Sequence, residues 1–200
     1  MTEQREAFED AVMTRIGQAI ILLHAGDREE ARNRLGALWD ALDAIEAEVE
    51  EESAAEAGGG PDPGGERAAR VAARALHRCT LAHYLADAQD RSADKLVWDL
   101  RALDAADALA EEPGHDGPGG AVRAFYPALH LHLADDYITL RRPEAARVHL
   151  ARAVAGAAAL ADDGYGRGVR AALARIERRL AGAEPDAHPR PGPFPGPFRG

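Results

Sequence analysis

The chain has 200 residues, a formal net charge of −10, 46% hydrophobic residues and 5% aromatics. That acidity excludes nonspecific attraction of the whole molecule to nucleic acid or to an anionic membrane surface. Cys79 is the only cysteine, which excludes an intrachain disulfide and a cysteine-based zinc site.

The apolar residues are mainly alanine and leucine, a composition that favours helix over strand. Residues 3–25 read as a first helix, with Met13, Ile16, Ile20, Leu22 and Leu23 giving it a wide apolar face. Gly26 and Asp27 supply a helix stop and then an N-cap, the turn chemistry that two antiparallel helices need. A second helix starts near Arg28 and carries Ala31, Leu35, Leu38, Trp39, Leu42 and Ile45. Its acidic end, from Glu46 to Glu52, opposes the helix dipole and is expected to fray. Residues 53–65 read as a glycine- and proline-rich linker.

Residues 66–88 and 92–110 make the third and fourth helices, and residues 112–120 read as a second flexible break. The fifth helix covers residues 121–140 and the sixth residues 143–160, with Pro143 suited to a first helical position. A seventh helix over residues 165–180 places Tyr165, Val169, Ala172, Leu173, Ile176 and Leu180 on one face. Arg167, Arg170, Arg175, Arg178 and Arg179 cover the other. From Glu184 onward the chain is Pro/Gly-rich and reads as a disordered or polyproline-like tail.

Three stretches share a spacing rule. Ala19, Leu22, Ala31, Leu35 and Leu38 have the same separations as Ala134, Tyr137, Ala146, Leu150 and Ala153. A third set, Ala82, Leu85, Ala93, Val97 and Leu100, is one residue short across its middle gap. Small and large apolar residues three or four apart, broken once by a polar turn, describe pairs of antiparallel helices.

This spacing resembles tetratricopeptide repeats, best at Leu133 to Tyr137 with Ala146, Leu150 and Ala153, and next at Leu22 through Ala31. The stretch from Phe125 to Leu133 is similar to actinobacterial members of that repeat class. The resemblance implies an all-α, right-handed stack of three antiparallel helical hairpins plus a C-terminal capping helix, spanning residues 1–183. The repeats are not evenly spaced, and a compact seven-helix bundle is the alternative. In the resembling family the inner groove is lined by the first helix of each pair. Carried onto this chain, its exposed positions are Ile16, Ile20, Leu23, His24, His83, Asp87, Asp135 and Thr139.

Little in the sequence points to catalysis. There is no nucleophile motif, Cys79 reads as a core residue, and Gly58 to Gly65 lacks the lysine and hydroxyl of a phosphate-binding loop. His83 with Asp87, and separately His132 with Asp136, are i,i+4 pairs that could each offer two metal ligands from one helix face. No third ligand has diagnostic spacing, so they read first as surface hydrogen bonds or polar groove positions. His130 and His132 point to different sides of their helix. The arginine face of the last helix reads as solvated rather than as a nucleic-acid contact.

The expected function is a protein- or peptide-interaction module, a scaffold or regulatory adaptor without enzymatic activity or cofactor. Its partner is a protein or peptide, a second copy of the chain included, and not nucleic acid or membrane. The alternative is a ligand-sensing or metal-binding helical regulatory domain using His83, Asp87, His132 and Asp136. Residues 1–6 lack the apolar core of a signal peptide, and no apolar run approaches the roughly 20 residues of a membrane span, so a cytoplasmic protein is expected.

Overall fold

The computed structural model describes residues 2–55, 66–110 and 118–182. Among these there are seven α-helices and no strand: α1 (Thr2–His24), α2 (Arg28–Ala55), α3 (Glu66–Ala88), α4 (Ser92–Ala110), α5 (Pro118–Thr139), α6 (Pro143–Ala157) and α7 (Gly164–Leu180). The chain is all-α, as its composition predicts. No described helix is long and apolar enough to cross a membrane.

Three boundaries differ from the sequence reading. α2 continues to Ala55 through its acidic end, because Arg78 of α3 pairs with both Asp43 and Glu46 and offsets the like charge there. α5 begins at Pro118 rather than residue 121, using proline's preset φ at a first helical position. α6 ends at Ala157, where bonds from Ala159 N–H to Gly156 and from Leu160 N–H to Ala157 tighten the last turn. The expected loop remainders at residues 56–65 and 111–117, and the tail from residue 184, lie outside the described residues.

The first and third hairpins turn in the same way. After α1, Asp27 N–H donates to Leu22 O and Gly26 N–H to Leu23 O, with Gly26 at φ 91°. After α5, Arg142 N–H donates to Tyr137 O and Arg141 N–H to Ile138 O, with Arg141 at φ 58°. Both are Schellman closures, which need a left-handed residue. Glycine adopts that conformation freely, whereas arginine does so at a cost.

α1 packs on α2, α3 on α4 and α5 on α6. The even helices also meet the next odd one, and α1, α3, α5 and α7 touch in sequence as one row. Three apolar cores follow along this row. The first joins Val12, Ile16, Ala19, Leu35 and Leu42 to Leu81 and Leu85. The second centres on Cys79, Ala102, Leu109, Phe125 and Leu129. The third joins Ala128, Leu131 and Ala153 to Val169, Leu173 and Ile176. Cys79 is thus a core residue. Pro127 lies inside α5, and Gly156 of α6 is so close that a Cβ there would approach the proline ring to 3.0 Å.

The arginine face of α7 is not simply solvated. Arg179 turns inward and pairs with Asp135 of α5, both side chains being nearly buried. Arg170 donates to the carbonyls of Leu160 and Ala161 in the connection between α6 and α7.

The middle repeat has a different register from the one read in the sequence. Ala93 and Val97 are exposed. The inward positions of α4 are Lys95, Asp99, Ala102 and Ala106. Those residues are four, three and four apart, as are Ala31, Leu35, Leu38 and Leu42 of α2 and Ala146, Leu150, Ala153 and Ala157 of α6. The middle copy is therefore one residue longer across its turn, not shorter. A lysine and an aspartate stand where the other copies have alanine and leucine.

Replacing the strained turn residue tests the hairpin geometry: Arg141→Gly should raise unfolding free energy by about 1 kcal/mol in urea denaturation. Gly26→Ala should lower it.

Candidate functional site

The register of α4 carries Lys95 and Asp99 into the interior, where α3 contributes His83 and Asp87 and α5 contributes His132 and Asp136. Each pair is one helical turn apart and so shares a face. His83, Lys95, Asp99, His132 and Asp136 are buried, with Asp99 and Asp136 at 0% exposure. Phe125 and Tyr84 wall the cluster, their rings lying edge-on to His83 at centroid distances of 5.1 and 5.0 Å.

Lys95 Nζ lies 2.9 Å from Asp87 Oδ1 and 3.4 Å from Asp99 Oδ2. The other Asp99 oxygen, Oδ1, lies 3.9 Å from His132 Nδ1. The His83 and His132 rings are 4.8 Å apart. Ligand atoms of His83, Asp99 and His132 lie within 4.8 Å of one another. A metal at ordinary bond lengths of about 2.1 Å holds its ligand atoms roughly 3–4 Å apart, so closure about an ion takes rotamer-scale movement. Two imidazoles and one carboxylate suit divalent first-row metals and leave coordination positions open.

Neither ring nitrogen of His83 has a hydrogen-bond partner, although the residue is 1% exposed. A neutral imidazole has one donor and one acceptor, and each unmade bond in the interior costs about 1–3 kcal/mol.

Burial pushes the His83 pKa down to about 4, helped by the neighbouring His132 and Lys95 and opposed by Asp87 and Asp99. Burial likewise lowers that of His132. For Asp87 burial opposes ionisation, but Lys95 and the two histidines outweigh it and hold the carboxyl at about 2. Burial also works against the Lys95 charge and is outweighed by Asp99, Asp87 and Asp136. Asp136 goes the other way, up to about 10, through burial and then the charge and hydrogen bond of Asp99. Asp87 and Lys95 are thus ionised at neutral pH, His83 is neutral, and Asp136 keeps its proton.

The backbone around the cluster is tied down from both sides. Arg28 of α2 donates to the carbonyls of Asp87 (2.5 Å) and Gln89 (3.1 Å), and Arg32 to that of Ala88 (3.2 Å). These guanidinium groups satisfy the last carbonyls of α3 and favour its negative dipole end. On α5 the residue before Asp136 is the Asp135 that holds Arg179.

The groove expected from the repeat resemblance is largely closed. Ile16, Leu23, His83 and Asp135 are buried rather than exposed: the first two pack in the first core, His83 in the polar cluster, and Asp135 against Arg179. Asp87 is half-buried beneath Lys95. Ile20 is half-buried, and only His24 and Thr139 are exposed. Of the four metal-ligand candidates, His83 and His132 come together, whereas Asp87 faces Lys95 and Asp136 faces Asp99. Sequence reading missed Asp99 as the nearest carboxylate and missed Lys95. The signal was available, since the chain's one lysine and an aspartate four residues on occupy the inward register of the middle repeat. His130 lies apart, its Nδ1 3.1 Å from His149 Nδ1.

No family model matches the chain, and no curated protein or solved structure matches it. The fold and cluster define it as an all-helical protein with a histidine–carboxylate–lysine centre.

The low His83 pKa has a measurable sign. Below pH 6.5 the unfolded chain takes up a proton that folded His83 refuses until about pH 4, so this residue's contribution falls as pH drops through that window. Asp136 acts in the opposite sense, so the comparison is with a variant. The stability difference between wild type and His83→Asn should shift against wild type by up to about 1.4 kcal/mol per pH unit between pH 6.5 and 4, read by urea denaturation.

Proposed function

We propose that the chain is a helical regulatory domain that binds a divalent transition-metal ion through His83, Asp99 and His132. The observation that carries this is the buried His83 ring, which lacks a hydrogen-bond partner at both nitrogens and faces a second imidazole and a carboxylate. A metal would use one nitrogen's lone pair and relieve the desolvation that an apolar pocket imposes. The surrounding charges favour it too: three carboxyl groups and one ammonium leave room for two positive charges once Asp136 ionises.

The row of touching odd helices and the shared 4-3-4 register support a tetratricopeptide-like stack capped by α7. Within such a stack the cluster sits at the central hairpin joint, so metal would act by stiffening that joint. Binding, not catalysis, is the role proposed. An interaction module for a protein or peptide is the second reading, supported by the 68% exposure of Ile21 on α1 beside Ile20 and His24. Ile21→Asp would remove that surface while leaving the cluster intact.

Thermal unfolding with Zn²⁺, Ni²⁺, Co²⁺ or Mn²⁺, against EDTA, tests the main reading. At about 100 times the dissociation constant a bound ion should stabilise the native chain by about 2.7 kcal/mol. His83→Ala and His132→Ala should each abolish the shift while remaining folded with EDTA. No shift with any of the four ions would overturn the assignment.

A further inference from the structure

We propose that the Lys95 ammonium occupies the place of a second cation, so that the cluster accepts one metal ion beside Lys95 and two when Lys95 is removed. The inference rests on the reading of His83, Asp99 and His132 as a metal site, and it adds what sets that site's stoichiometry.

The geometry points to this through Asp99. Its Oδ1 faces His132 on the nitrogen-rich side and its Oδ2 faces Lys95 Nζ at 3.4 Å. One carboxylate with its oxygens directed to two adjacent cation positions is how two-metal centres share a ligand, with the ions about 3.5–4 Å apart. Nζ pairs with carboxylate oxygens, Asp87 at 2.9 Å and Asp99 at 3.4 Å, and the nearby carboxyl of Asp136 favours the ammonium when ionised. A shell of carboxylates suits a hard divalent cation such as Mg²⁺ or Mn²⁺, whereas the imidazole side suits Zn²⁺, Ni²⁺ or Co²⁺. Charge follows the same division. Once Asp136 ionises, three carboxylates and an ammonium are neutralised by one divalent ion, and removing the ammonium leaves one negative charge beside that ion to attract a second.

The residue type supports the assignment. Lys95 is the chain's only lysine, and every other residue among its 24 lysines and arginines is arginine. A compact ammonium with three donors fits where a spherical cation fits, and a planar guanidinium does not. Lys95 is also 4% exposed, so it cannot extend to solvent as a surface lysine does.

Native mass spectrometry and metal analysis of the full chain, loaded separately with Zn²⁺ and Mn²⁺, test the proposal. Wild type should hold one ion, and Lys95→Ala and Lys95→Met should each hold two. Equal stoichiometry in wild type and folded variants would overturn it. If both variants unfold without metal, refolding on addition of Mn²⁺, seen by circular dichroism, would support Lys95 as a cation surrogate. Failure to refold with either ion would overturn it. A wild type that binds no ion would instead overturn the metal reading of the histidine side, while a Lys95→Ala chain that gains one ion over wild type would still support the role of Lys95.

Discussion

Burying charge at the junction of α3, α4 and α5 is the constraint around which the rest of this molecule is arranged. Two carboxylates cannot enter a helical interior without compensation, and the ammonium of Lys95 supplies it at 2.9 and 3.4 Å. Asp136 keeps its proton, so at neutral pH the uncompensated charge is small. Ring edges from Tyr84 and Phe125 and the apolar second core then close around the group. An aliphatic pair at these two positions, as in α2, would pack with less penalty. A centre with such a desolvation cost is where functional chemistry concentrates.

The flanking units do without such an arrangement. Ala31 and Leu35, or Ala146 and Leu150, fill the corresponding positions with alkyl volume. The two turns that serve these units are the same hydrogen-bonded closure, one with glycine and one with arginine at the left-handed position. One backbone solution thus serves both apolar joints. The central unit differs in its turn, which is one residue longer, and in the inward side chains of α4.

Much of the fold was legible because it rests on local periodicity. Helix stops at Gly26 and Asp27, the proline at position 143 and the alternation of alanine with leucine are local signals, and they located all seven helices to within a few residues. The cluster was less legible because it depends on register. A two-residue slip in the middle repeat turns Ala93 and Val97 inward on paper and hides Lys95 and Asp99. The helix itself decides otherwise, because Ala102, Ala106 and Leu109 lie on the face of Lys95 and must be buried together. His83 and His132 could be named from sequence, but their meeting across two helices could not. Several positions expected to be exposed in the groove are buried for a related reason: Ile16 and Leu23 of α1 pack in the first core, and Asp135 pairs with Arg179.

The arginines that reach the edges of the cluster set a lower bound on what can be cut away. Arg28 and Arg32 hold the C-terminal carbonyls of α3 from α2, and Arg179 holds Asp135 from α7. All six cluster side chains belong to α3, α4 and α5, yet the anchors of two of those helices lie outside them. The three-helix segment contains every donor atom and lacks the fastenings that keep them in position. The fastenings of the centre therefore reach further along the chain than its donor atoms do, from α2 to α7.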